Sequence, residues 1–345
     1  MKALKSRGTA KTMPLPGWRS TRAAGLPSRR RLRLMALLHL HLYGPDTPSL
    51  MARRLLGRRT RIDPTALEEA LEQLAAEGLV ERLESRIVPK STATSSIKPW
   101  IKVRAGSREV RRHGQYYSLT REGRRSARRL RELVRELTGL VDAAGVDDYT
   151  LLSLEPIHLY ILLHLRMAGI DYAKSIARLP KISIEDTLAA LDELEALGLI
   201  ERVHGSAIKR TQAKLKLSYE VRKHHTYYQL SRSGEALVKA MRRGRDFLKK
   251  IMELMTGHEK AYRLTMLLRE AGYEHPVTLA RLLPATLEET QSLLEELVSL
   301  GLVVETKPKT LKMKHRRAKP KKETRCLHKY YRLSRLAELL LRQAT

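Results

Sequence analysis

At 345 residues the chain has room for two or three domains, on a prior of about 150 residues each. Sixty-seven Lys and Arg against 37 Asp and Glu leave a net charge of +30, which points to a polyanionic partner, nucleic acid first. Enrichment for ion-pair networks at high temperature would raise both signs together, and here the excess is one-sided.

Residues 1–30 hold eight Lys or Arg and no acid, without the continuous apolar segment of a secretory signal. They read as a basic disordered tail, with an organellar transit peptide as the alternative. From Arg31 an apolar run, LMALLHLHLY, fits a helix and breaks at Gly44-Pro45. Thr47-Pro48 then gives an N-cap and first helical position for a second helix. Asp63-Pro64 repeats that signal and opens a third, with Leu67, Ala70, Leu71 and Leu74 at helical spacing. Gly78 ends it and turns the chain into a strand over Leu79–Leu83.

The pattern recurs twice. Counted back from the terminating glycine, the core positions become Ala190, Leu191 and Leu194, then Leu293, Leu294 and Leu297. Ser183 with Asp186, and Thr286 with Glu289, are capping-box-like starts. GLVER at Gly78 matches GLIER at Gly198 and GLVVE at Gly301, while YYSLTREG at Tyr116 matches YYQLSRSG at Tyr227 and YYRLSR at Tyr330. The stops LTG at Leu137 and MTG at Met255 close the first two units. The chain therefore divides into a tail (1–30) and three repeats: 31–138, 139–257 with a long C-terminal helix, and 258–345. In that helix Leu237, Met241, Gly244, Leu248, Ile251 and Met255 form a seam for packing on a neighbouring repeat or a second chain.

Three helices, a strand, a basic stretch and a second strand resemble the winged-helix domain, most specifically in LAALDELEALGLIER (residues 188–202). The middle repeat, with DYAKSIARL and YEVRKHHTYYQLSR, also resembles an archaeal group of winged-helix proteins of unassigned function. The fold class expected is mainly α with small β-hairpins (α+β), as three tandem winged-helix domains joined by helices. What the resemblance implies is DNA binding through the third helix in the major groove, with the wing on the minor groove or backbone.

The third helices depart from that pattern. They carry Glu68, Glu69 and Glu72, then Asp192 and Glu193, then Glu295 and Glu296, and none has a Lys or Arg before its glycine. A carboxylate near a phosphate costs roughly 1 kcal/mol even at water's dielectric, which opposes groove insertion. The cations lie in the basic stretches, so contact led by the wings is expected. The residues singled out for it are Arg58, Arg59 and Arg61 ahead of the first third helix, and Lys98, Lys102, Arg104, Arg111 and Arg112 in the first wing. The second wing contributes Lys209, Arg210, Lys214, Lys216, Arg222 and Lys223; the third contributes Lys312, Lys314, Arg316, Arg317, Lys321, Lys322 and Arg325. In each tyrosine pair, alternation puts Tyr117, and by the same logic one member of each other pair, toward the core and leaves its neighbour outward, where it can pack or bond a phosphate.

No cofactor or metal is expected. The twelve histidines show no ligand spacing, and the single cysteine, Cys326, excludes an intramolecular disulfide and cannot hold zinc alone. No phosphate-binding loop, dinucleotide motif or nucleophile elbow occurs, so an enzyme is the least supported class. No apolar run approaches the roughly 18 residues of a membrane span, and a cytoplasmic, possibly nucleoid-associated, location is expected. Three readings stand: duplex DNA binding in transcription regulation or chromatin, preferred; binding to RNA or a ribonucleoprotein; and a scaffold whose acidic third helices meet a protein partner. Oligomeric state is left open.

Overall fold

The computed structural model describes residues 29–55, 62–83, 115–141, 146–203, 226–306 and 329–344. Repeat 1 comprises α1 (Arg29–Tyr43), α2 (Pro48–Leu55), α3 (Pro64–Ala76), β1 (Val80–Leu83), β2 (Tyr116–Leu119) and α4 (Arg121–Leu140). Repeat 2 follows as α5 (Asp148–Ser153), α6 (Pro156–Ala168), β3 (Asp171–Tyr172), α7 (Ala173–Arg178), α8 (Ile184–Ala196), β4 (Ile200–Val203), β5 (Tyr227–Leu230), α9 (Arg232–Arg243) and α10 (Arg245–Thr256). Repeat 3 is α11 (Ala261–Ala271), α12 (Pro276–Leu282), α13 (Leu287–Ser299), β6 (Val303–Thr306), β7 (Tyr330–Leu333) and α14 (Arg335–Ala344). The molecule is mostly helical, with one small antiparallel sheet per repeat.

Each third helix starts and stops by side-chain and backbone chemistry legible in the sequence. The Asp63 carboxylate accepts from the Thr65 amide at 3.1 Å, and the Ser183 hydroxyl from the Asp186 amide at 2.9 Å. Thr286 and Glu289 form a reciprocal box, at 3.1 Å and 3.0 Å. At the other end Gly78, Gly198 and Gly301 sit at φ +72°, +70° and +69°. That left-handed turn lets Leu79, Leu199 and Leu302 donate back to Leu74, Leu194 and Leu297, each at 2.9 Å. The helix is thus closed and the chain reversed into a strand at one residue.

In repeat 2 the sheet order is β3-β5-β4, the returning strand in the middle. Single bridges, Asp46 with Tyr117 and Glu274 with Tyr331, place the same third partner in repeats 1 and 3. Asp46 and Asp171 are themselves fixed by buried histidines seven residues earlier, His39 at 2.9 Å and His164 at 2.8 Å.

The three cores merge through two helices. α6 is buried at every position from Pro156 to Leu165, so all but its last turn has no solvent side. It packs on α8 and α9 of its own repeat and on α14, the last helix of repeat 3. α10 packs on α4 of repeat 1 and on α11 and α13 of repeat 3. The predicted seam is divided at Gly244 into α9 and α10, yet Leu237, Met241, Leu248, Ile251 and Met255 are all buried within the chain.

The terminal helices start tight against the strand turn. A Cβ on Gly234 would lie 2.0 Å from the Leu199 carbonyl oxygen, and one on Gly123 1.8 Å from that of Leu79. Repeat 3 has Ala337 in the matching place, so this approach belongs to the first two repeats. Gly→Ala inside a helix ordinarily gains up to about 1 kcal/mol; Gly234→Ala should instead lose about 1–3 kcal/mol, because the carbonyl must shift. Chemical denaturation should show a lower midpoint, and an unchanged or raised one would contradict the close approach.

Candidate functional site

Each basic stretch is tied at both ends to one strand pair. Leu83 lies opposite Tyr116, Val203 opposite Tyr227, and Thr306 opposite Tyr330, and the chain leaves and re-enters the fold at those pairs. In repeat 1 the Gln115 side chain closes the root by donating to the carbonyls of Leu83 and Tyr116 at 2.6 Å and 3.0 Å. The tethered segments 84–114, 204–225 and 307–328 hold 24 of the 67 Lys and Arg but only four of the 37 acids, hence 20 of the 30 net positive charges. The cations named from sequence fall in these segments or in 56–61. Arg58, Arg59, Arg61, Lys98, Lys102, Arg104, Arg111, Arg112, Lys209, Arg210, Lys214, Lys216, Arg222, Lys223, Lys312, Lys314, Arg316, Arg317, Lys321, Lys322 and Arg325 therefore all lie outside the described residues.

The tyrosines at the roots are structural. Both members of each pair are buried, Tyr116 to 3 % exposure and Tyr117 to 1 %, and the least buried, Tyr330, to 9 %. This corrects the expectation that one of each pair faces outward. The third strand is the reason, because it brings a covering ring: Tyr172 meets Tyr227 edge-on at 5.7 Å, and Tyr273 and His275 meet Tyr330 at 6.1 Å and 5.7 Å. Burial raises the phenols of Tyr117, Tyr228 and Tyr331, and pushes that of Tyr160 in α6 up to about 12. No base can stack on these rings without unfolding the root.

The acidic third helices are answered from within the chain. Arg82 on β1 forks onto Glu72, which also accepts from the Tyr117 hydroxyl. These two donors, Arg82 first, hold the Glu72 carboxyl below its usual range. Arg202, at the same place on β4, reaches Glu195 at 2.8 Å and Asp192 at 3.2 Å. In repeat 3 that place is Glu305, which pairs with Lys329 at 3.3 Å and offers no cation to the third helix.

Two further acids face another repeat. Arg31 at the start of α1 lies 2.9 Å from Glu193 on α8 and 3.5 Å from Glu155 at the start of α6, with His158 also 3.4 Å from Glu193. Its neighbour Arg30 lies 2.9 Å from Glu296 on α13. The Arg30 guanidinium also crosses Gly257, where a Cβ would stand 2.6 Å from it. One turn of α1 thus joins all three repeats, using flanks of the second and third repeats' third helices. Burial and Arg30 both lower the pKa of His258 nearby, which keeps a further positive charge out of the junction. Sequence reasoning missed this clamp by assigning Arg30 to a tail. The register held the signal, since Arg30 falls where the other repeats have Glu155 and His258.

Among the described residues no cluster of His, Cys, Asp and Glu is placed to hold a metal ion, and no helix is long and apolar enough to cross a membrane. A family model described as an uncharacterized protein conserved in archaea, DUF2250, matches the chain three times, over residues 29–130, 149–241 and 252–344. The chain belongs to the DUF2250 family. No curated protein matches it, and no solved structure does. Tandem triplication of the DUF2250 unit is what the repeated helix-to-strand signatures express, and the clamp at Arg30 and Arg31 is what welds the three units together.

Two outcomes follow from these contacts. Arg31→Met removes the guanidinium that both Glu155 and Glu193 approach; loss of one partner from a buried ion pair costs about 3–5 kcal/mol, and urea denaturation should register it. Glu72 has a depressed folded pKa, so its contribution is present above the unfolded value of about 4.3 and is lost as pH falls through the lower folded one. Glu72→Gln should therefore lower stability at neutral and alkaline pH, where that contribution is present, and flatten the acid limb, the two proteins converging below the folded pKa.

Proposed function

We propose that this DUF2250 chain is a nucleic-acid-binding protein that holds double-stranded DNA mainly through its three basic segments, in transcription regulation or chromatin organisation. The observation that carries the reading is the location of the charge: 20 of 30 net positive charges sit on three segments, each tied at both ends to a rigid strand pair. A tethered segment confines its cations near one surface while leaving them reach along a phosphate backbone, and phosphate contacts position a protein without reading sequence.

The sheet supports a winged-helix description of each unit. In repeat 2 the short strand β3 lies between α6 and α7, and the order β3-β5-β4 puts the returning strand in the middle. In that description the basic segments are the wings. Insertion of the third helix into a groove has less support, since Glu193 and Glu296 flank the junction between repeats and Glu72 and Asp192 already face arginines. The same pairings weaken a scaffold reading based on the acidic faces. What favours a protein partner is apolar exposure beside those acids, Ile184 and Leu188 on α8 and Leu287 on α13.

Counterion release supplies the test. With about eight phosphate contacts, log K should fall against log salt with a slope of about −7 on duplex DNA. A fluorescence titration of the full chain with a short duplex at increasing salt measures it. Binding that does not weaken with salt would remove the reading, and preference for an equal-length RNA duplex at matched salt would move it to RNA.

A further inference from the structure

A second cationic surface lies among the described residues, on α4. α4 carries seven arginines and no lysine. Its apolar side, with Ala127, Leu130, Val134 and Leu137 buried, is turned to the core. Arg124, Arg128, Arg131 and Arg135 follow one another at spacings of four, three and four and are all exposed, so they form a single stripe on the outer side. Arg124 donates to the Leu119 carbonyl at 3.0 Å, which fixes one end of the stripe to β2. Among the described residues Arg128, Arg131 and Arg135 have no carboxylate partner within ion-pairing distance. Their field reaches α1: burial lowers the pKa of the His41 imidazole first, and Arg131 and Arg128 lower it further.

Like charges three or four apart on a helix oppose its formation. Glu132, four residues after Arg128 and three before Arg135, offsets part of that cost, yet the row still sets four cations on one exposed face. We propose that the α4 stripe is a binding surface for the phosphodiester backbone of a nucleic acid; this rests on the reading above and adds a contact separate from the basic segments. Four guanidiniums over twelve residues span about 16 Å, the length over which one DNA strand presents about five phosphates. Arginine rather than lysine suits that task, because its planar fork bonds a phosphate through two parallel N–H groups. An anionic membrane fits less well, since the exposed side of α4 offers charged groups and Gly139 but no apolar anchor. The stripe starts beside the Leu119 end of β2 and the basic segment 84–114 joins at its Tyr116 end, so the two contacts leave opposite ends of one strand.

The test uses the full chain, short DNA and RNA duplexes of equal length, and a salt titration. Replacing the row by Arg124→Gln, Arg128→Gln, Arg131→Gln and Arg135→Gln keeps strong helix formers on an exposed face. The salt slope should shrink by about 3 to 4, with binding at moderate salt weaker by tenfold or more on either duplex. Arg128→Gln with Arg131→Gln alone should shrink it by about 2, and this milder variant decides the matter should the fourfold change disturb folding. Lys312→Gln, Lys314→Gln, Arg316→Gln and Arg317→Gln together provide the comparison in a basic segment.

A stripe variant with the parental slope, while the segment variant loses slope, overturns the stripe and leaves nucleic-acid binding in place. A parental chain that binds neither duplex overturns both. Loss of binding only to phosphatidylserine vesicles, with duplex binding unchanged, would assign the row to a membrane and overturn the proposal as well.

Discussion

The Arg31 guanidinium, buried between Glu155 of the second repeat's first helix and Glu193 of its third, is the contact on which the arrangement of the three units turns. Three first helices begin near this point, and each N-terminus carries about half a positive charge. Two arginines are added to them. Without carboxylates the junction would repel itself, so Glu155, Glu193 and Glu296 are required there by the fold. That requirement accounts for part of the acidity of the third helices. Burying such a set does little for stability in net terms, but removal of any one member leaves an uncompensated charge in a low dielectric. The junction therefore enforces one arrangement of the repeats more than it deepens the energy of that arrangement.

Apolar burial supplies the depth. All but the last turn of α6 has no solvent face, and α14 closes over it from the far end of the chain, so the middle repeat cannot complete its core until repeat 3 is made. α10 does the converse, reaching back to α4 and forward to α11 and α13. Three units of about 90 to 100 residues would each bury a modest core alone; sharing two helices turns them into one body. The tyrosine roots then matter less as ligands than as anchors. A segment rich in like charges repels itself, and only a root closed by buried rings and a paired strand holds its two ends together.

Much of this was legible in the sequence, because the repeat offers each signal three times. Asp63, Ser183 and Thr286 read as helix starts and Gly78, Gly198 and Gly301 as stops, and local chemistry alone decides both. The seam along Leu237 to Met255 was visible by spacing, while its break at Gly244 was not, since a helical period continues in phase across one glycine. Facing residues were harder. Strict alternation gave Tyr116 an outward direction, and the covering strand at Asp46 is too short to announce itself. His39 with Asp46 and His164 with Asp171 repeat a seven-residue spacing that was available but looks like nothing without the turn that folds it back. Long-range partners such as Arg31 and Glu193, 162 residues apart, leave no local trace.

Charge in this molecule is divided by location, and the division has a physical consequence. At the junction Arg31 is matched by Glu193 and Glu155 and shielded from ions by burial, whereas Arg82 with Glu72 and Arg202 with Asp192 and Glu195 are matched at the surface. On α4, Arg128, Arg131 and Arg135 are exposed and, among the described residues, have no carboxylate within ion-pairing distance. Salt at physiological strength screens interactions beyond about 8 Å in solvent and acts far less on buried pairs. Rising salt therefore weakens the hold on any polyanion long before it loosens the junction at Arg30 and Arg31. Affinity can then change by gain or loss of single surface cations while the cores and the clamp stay as they are. An excess of +30 opposes the compact state through self-repulsion, and only ten of those charges belong to the chain outside the three basic segments.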